Sequence, residues 1–202
     1  MIIEIFINAV IQIILFSIIP FCWWLVFARK KYSFLASIGL QKSIIENKAY
    51  YSLYFLMVIA LLVIPIHIIV HFFVDESLLA SERFAGLGLA AVLPALIYSV
   101  FQTGLSEELF FRGFLAKRFI ARWEFKKGNL LQSLLFGAIH GLMFLSTVQL
   151  VGVFFIFIAT ALAGYLMGWM NEKVSKGSII TSWAIHSIAN FLAAIMMMFN
   201  LV

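Results

Sequence analysis

Six apolar stretches, 5–27, 51–73, 87–116, 129–146, 148–171 and 178–200, constrain this 202-residue chain more than any other feature. A bilayer has a hydrocarbon core of ~30 Å, which about 20 helical residues cross. Inside that core every backbone amide and carbonyl needs an internal partner, and a helix supplies these within one segment. The chain is therefore expected to be all-α, a polytopic transmembrane helical bundle of six spans forming one integral-membrane domain over 1–202. Composition agrees, because 64% of the residues are hydrophobic and 11% charged, whereas soluble chains carry about a quarter charged residues. No Pro-, Gly- or Ser-rich linker divides it. The third stretch is too long for a perpendicular crossing, so it must tilt, kink near Gly104 or run out along the interface. Pro20, Pro65 and Pro94 fall inside spans, where neighbouring helices can satisfy the freed backbone groups.

The opening MIIEIFINAV has no basic n-region and contains Glu4, so the first stretch reads as a retained helix, not a cleaved signal. Cys22 is the only cysteine, which leaves neither an internal disulfide nor a thiolate metal cluster. The net charge of +5 fits basic loops at a membrane surface, and nothing favours nucleic acid.

Basic residues set the expected orientation. Arg29, Lys30, Lys31, Lys42 and Lys48 occupy the first connection, Lys117, Arg118, Arg122, Lys126 and Lys127 the 117–128 connection, and Lys173 and Lys176 the last. With six spans these share one side, while the 74–86 connection carries Asp75, Glu76 and Glu82 against Arg83. The positive-inside rule then places both termini outside the cytoplasm. Trp23, Trp24, Trp123, Trp169 and Trp183 fall near the basic end, as an aromatic belt would.

The stretch Leu105–Phe114, LSEELFFRGF, puts three ionisable groups into this apolar setting. A charge at the bilayer centre costs roughly 2.5–3.5 kcal/mol on insertion scales and needs a partner. Glu108 and Arg112 are four apart with the acid first, the favourable order for a helical ion pair. Glu107 points about 100° away and is left over. His140, His186 and Asn190 lie within later spans, and counting inward from the basic ends puts all four at ~12–18 Å. A catalytic site or a proton path would use such a set. Gly137–Gly141 and Gly164–Gly168 have GxxxG spacing, read here as close packing within the bundle. His67 and His71 are also four apart, but no acidic residue within a span reaches their level, and they read as structural.

In this spacing the chain resembles the CAAX protease and bacteriocin-processing (CPBP, or Abi) family of intramembrane glutamate-dependent endopeptidases, which includes type II CAAX prenyl proteases. Three motifs carry the resemblance: Glu107-Glu108-Leu-Phe-Phe-Arg112, Phe136 with His140 four later, and His186 with Asn190 four later. They appear in that order within the half of the chain at 87–200. The resemblance implies an enzyme in which Glu107 and His140 activate water against a peptide carbonyl. It implies that His186 and Asn190 stabilise the oxyanion and that Glu108, Arg112 and Phe136 support the site. It further implies no cofactor, a site inside the bundle toward the cytoplasmic side, a bacterial plasma membrane location, and membrane lipid and a membrane-associated or lipidated peptide as partners. Family members are often longer, so the first half of this chain bears on specificity.

Other chemistries compete. Glu107, His140 and His186 could form a two-histidine, one-carboxylate zinc set, although HExxH is missing. The only aspartate, Asp75, lies in a connection, which excludes an aspartyl dyad, and no GxSG supports a serine nucleophile. A membrane binding or bacteriocin-immunity protein would keep the fold without turnover. A proton-coupled transporter would keep buried Glu and His, but the chain shows no internal repeat.

Overall fold

A computed structural model describes residues 1–201. Five helical stretches are long and apolar enough to cross a membrane: Ile2–Phe27, Lys48–Phe73, Gly88–Met143, Leu150–Val174 and Ile180–Met198. The third is broken into two arms, giving six helices: α1 (Ile2–Phe27), α2 (Lys48–Phe73), α3 (88–122), α4 (125–143), α5 (Leu150–Val174) and α6 (Ile180–Met198).

The break lies at Trp123 (φ −130°, ψ 20°) and Glu124 (φ 63°, ψ 170°). Glu124 thus adopts a positive φ that glycine tolerates best. The chain reverses so tightly that a Cβ on Gly128 would sit 2.4 Å from the Ile120 nitrogen. In a straight helix Phe111 and Phe136 would be ~37 Å apart, yet their ring centroids are separated by 4.9 Å. The helix also outlasts the apolar run that ends at residue 116 and continues to 122. Lys117, Arg118 and Arg122 can carry their charges toward water on long stems, so charge ends the apolar stretch without ending the helix.

Around Gly104, where a kink was one expectation, α3 widens. Tyr98–Leu105 and Leu109–Ala116 are both π-helical and flank the α-helical turn Ser106–Glu108. Wide turns of this kind recur at functional sites. Gly104 faces α6, where a Cβ would lie 2.5 Å from the Ser99 carbonyl oxygen and 2.8 Å from Ser187 Oγ.

Helices α3, α4, α5, α2 and α6 pack pairwise in that order into a closed ring, with α1 against the outside of α3. The α4–α5 seam uses the small residues noted in the sequence. A Cβ on Gly137 would meet Ala161 Cβ at 2.8 Å, and one on Gly164 would meet Ser133 Cα at 3.2 Å. Asn129 Nδ2 donates to the Tyr165 carbonyl (2.9 Å) and Gln132 Nε2 to that of Gly164 (3.0 Å), closing the seam with buried amides. The GxxxG pairs thus serve packing inside the bundle.

At the basic end, residues 28–47 fold back as a cap. The Ile179 amide donates to the Gly39 carbonyl (2.9 Å), Ser178 Oγ to that of Gln41 (2.6 Å), and Lys117 Nζ reaches both Glu172 (3.1 Å) and the Gly177 carbonyl (2.8 Å). At the other end, Asp75 caps the turn Glu76–Leu78 by accepting from the Ser77 amide (2.9 Å), and Gly86 donates to the Met197 carbonyl (3.1 Å). Trp183, in the first turn of α6 at the basic end, bonds within the bundle. Its indole N–H turns inward and donates to the Val100 carbonyl at 2.7 Å.

Candidate active site

Glu107 and Glu108 are neighbours in sequence with opposite environments. Glu108 is fully buried and every side of its carboxylate is engaged. Oε1 meets Arg112 Nη1 at 3.1 Å and His186 Nδ1 at 3.0 Å, and Oε2 accepts from Ser182 Oγ. Asn171 Nδ2 in turn donates to Ser182 Oγ at 2.7 Å, and Asn171 Oδ1 accepts from the Ser182 amide at 3.1 Å. The Arg112 guanidinium lies 4.1 Å from the centroid of the Phe136 ring, a cation–π contact in an apolar setting. Breaking a buried ion pair of this kind by removing one partner typically costs about 3–5 kcal/mol.

Glu107, one residue earlier, points elsewhere. Its Oε2 is buried and has no hydrogen-bond partner among the described residues. Two imidazole nitrogens lie close to it, His186 Nε2 at 3.8 Å and His140 Nε2 at 3.9 Å. Both rings are held by their other nitrogen. His140 Nδ1 lies 2.9 Å from the Phe136 carbonyl, which can only accept, so Nδ1 carries a proton. His186 Nδ1 is tied to Glu108 in the same way. Each ring therefore presents Nε2 to the bare carboxylate oxygen. Glu108 is thus more than a charge partner for Arg112, because it also sets the ring orientation of His186.

Each sequence-derived candidate can now be placed. Glu107, His140 and His186 converge from α3, α4 and α6. Glu108 and Arg112 form the expected pair behind them, and Phe136 lies between, its centroid 4.3 Å from that of His140 and 6.2 Å from that of His186. Asn190 is one turn beyond His186, and its Nδ2 donates to Thr103 Oγ1 at 2.7 Å. Ser182, Asn171 and Thr103 were not singled out by the sequence. A faint signal existed for Ser182, four residues before His186 on one helix face. Asn171 and Thr103 gave none, because the side chains they bond lie on another helix.

A cavity of about 250 Å³ lies between α2, α4, α5 and α6. His140, His186 and Asn190 line one part of it, and Leu62, Val63, Ile66 and Met167 form an apolar wall. It continues past Ile156 to Val74, Leu79, Ser81 and Met197, toward the end of the bundle opposite the basic cap. His67 also lines it, so α2 brings that histidine to the same space as the motif residues. Sequence reading separated the two because spacing along one helix does not show which cavity that helix borders.

The fold and this site define a polytopic integral-membrane protein with a buried Glu/His network. Residues 89–192, just over half of the chain and including all seven motif residues, match the type II CAAX prenyl endopeptidase Rce1-like family, and the chain belongs to that family. Membership implies an intramembrane protease. No curated protein and no solved structure matches the chain.

Proposed function

We propose that the chain is an endopeptidase that hydrolyses a peptide bond of a membrane-associated peptide, with Glu107 and His140 activating the water. One observation carries this reading: an unpartnered, buried carboxylate oxygen faces two oriented imidazole nitrogens at 3.8 and 3.9 Å. A water placed there can donate one proton to Glu107 Oε2 and the other to His140 Nε2, leaving its lone pair for the carbonyl carbon. Glu107 takes the proton as the C–O bond forms, and that proton passes to the leaving amine as the C–N bond breaks. His186, tied through Nδ1 to Glu108, turns Nε2 toward the developing oxyanion and is joined there by the Asn190 amide. Such donors are most effective in a site with little water.

The family's name points to a CAAX-type prenylated peptide, and an apolar cavity beside the site suits a lipidated or strongly apolar substrate. The basic end faces the cytoplasm and both termini lie outside it, as the charge asymmetry supports. Zinc is the competing chemistry. Among the described residues no group of three or more His, Cys, Asp or Glu has a spacing suited to a metal ion.

Purified protein in detergent tests this with lipidated and unlipidated peptides, beside Glu107→Gln, with and without a chelator. Cleavage lost in Glu107→Gln and insensitive to chelator is the expected result. Chelator-sensitive cleavage would move the assignment to zinc, and silence from folded protein across a broad peptide set would favour a binding or immunity role.

A further inference from the structure

Asn190 lines the cavity with a side-chain amide whose two ends differ: the NH2 group donates and the carbonyl accepts. Only the donating end can help an oxyanion. The amide reaches Thr103 Oγ1 at 2.7 Å, and that hydroxyl sits 3.2 Å from the Tyr98 carbonyl oxygen. A hydroxyl has one proton, and a carbonyl oxygen can only accept it. With its proton directed to Tyr98, Thr103 Oγ1 offers a lone pair to Asn190. Only the NH2 end of the amide satisfies that lone pair, because the opposite orientation would set two acceptor oxygens against each other at 2.7 Å. One N–H is then held by Thr103, and the second has no partner among the described residues and is left for the cavity.

The wide turn of α3 makes this possible. Thr103 and Tyr98 are five residues apart within the π-helical segment Tyr98–Leu105, so its spacing brings the hydroxyl to the carbonyl of the residue five before it. Gly104 completes the arrangement by letting α6 approach, since a Cβ there would clash with Ser187 Oγ at 2.8 Å.

We propose that Thr103 is a positioning residue for the reaction: through Tyr98 C=O···H–O–Thr103···H–N–Asn190 it fixes the amide of Asn190 with its free N–H toward the scissile carbonyl. This rests on the endopeptidase reading above for its catalytic consequence but not for its geometry. Thr103→Val keeps the shape and removes the acceptor, so the amide loses its orientation and presents its carbonyl to the growing negative charge part of the time. Thr103→Ser restores the hydroxyl.

Two measurements test it on the full-length protein. With a fluorogenic farnesylated CAAX peptide, Thr103→Val should lower kcat about tenfold with KM changed less than about twofold. That loss is smaller than the roughly 10²–10³-fold that removing an oxyanion donor itself produces. Thr103→Ser should recover most of it, and Thr103→Val should add nothing in an Asn190→Ala background. Second, in protein carrying 15N-asparagine, Thr103→Val should shift the Asn190 side-chain NH2 resonances while Thr103→Ser leaves them near their wild-type positions. Unmoved Asn190 resonances in Thr103→Val would overturn the proposal, as would wild-type kcat in Thr103→Val when Asn190→Ala is impaired. Full activity in Glu107→Gln would instead overturn the endopeptidase chemistry. If this peptide is not cut, the amide spectrum decides the Thr103 geometry alone.

Discussion

Helices α1 and α2 differ sharply from the helices that hold the site. Of the most apolar window in each of the first two, 11% is buried, against 33% in α6 and 39% in α5. Residues such as Ile3, Ile14, Leu56 and Phe72 face outward, where a bilayer would cover them. The buried residues of α3 and α6 are in large part polar: Ser99, Ser106, Glu108, Arg112, Thr181, Ser182, His186 and Ser187. In a membrane, apolar surface is equally at home against lipid or protein, so burial there is decided by packing and polar pairing. The outward faces of α1 and α2 are kept apolar by lipid, and the inner helices α3 and α6 are held together by groups that lipid cannot satisfy.

Four experiments would break or sharpen this contrast, in order of expected effect. The largest concerns Glu107, the one carboxylate in the inner region with a bare oxygen. Glu107→Gln should lower kcat by about 10²–10⁴-fold, the range for a general base, with the thermal midpoint in detergent nearly unchanged. A large loss of stability would mean that Glu107 is structural. Arg112→Met should do the reverse, removing about 3–5 kcal/mol of stability by leaving Glu108 buried without its cation. Denaturation in mixed micelles measures it, and a near-neutral result would show that Ser182 and His186 suffice.

Gly137→Leu tests the seam between α4 and α5. The added side chain meets the Phe157 carbonyl oxygen 2.6 Å from its Cβ, so overpacking of about 1–3 kcal/mol is expected, read as a lower thermal midpoint. The smallest effect belongs to the outward face of α1. Ile14→Ala on α1 should change stability by no more than about 0.5 kcal/mol, the usual range for exposed positions. A larger drop would point to a protein partner on that face in place of lipid.

Much of the site could be read directly from the sequence because its rules are local. The four-residue spacing of Glu108 and Arg112 predicts their ion pair, and the same geometry leaves Glu107 over. Other features were out of reach. The 117–128 connection reads as a loop because its charges end an apolar run, yet the backbone stays helical except at Trp123 and Glu124. Trp183 reads as an interfacial tryptophan, but its N–H finds the Val100 carbonyl on another helix. His67 is separated by 40 residues from Glu107, and only the ring order of the helices gives it the same cavity as His140 and His186.

The sequence by itself determined that this chain lives in a membrane as helices, and which carboxylate lacks a partner on its own helix. Both follow from periodicity and from the cost of bare charge in lipid. Only the tertiary structure decided what Glu107 faces, that Glu108 holds His186, and that Asn190 bonds Thr103. Those depend on how far α3 widens and how closely α6 approaches Gly104, distances between helices that no spacing along one helix contains.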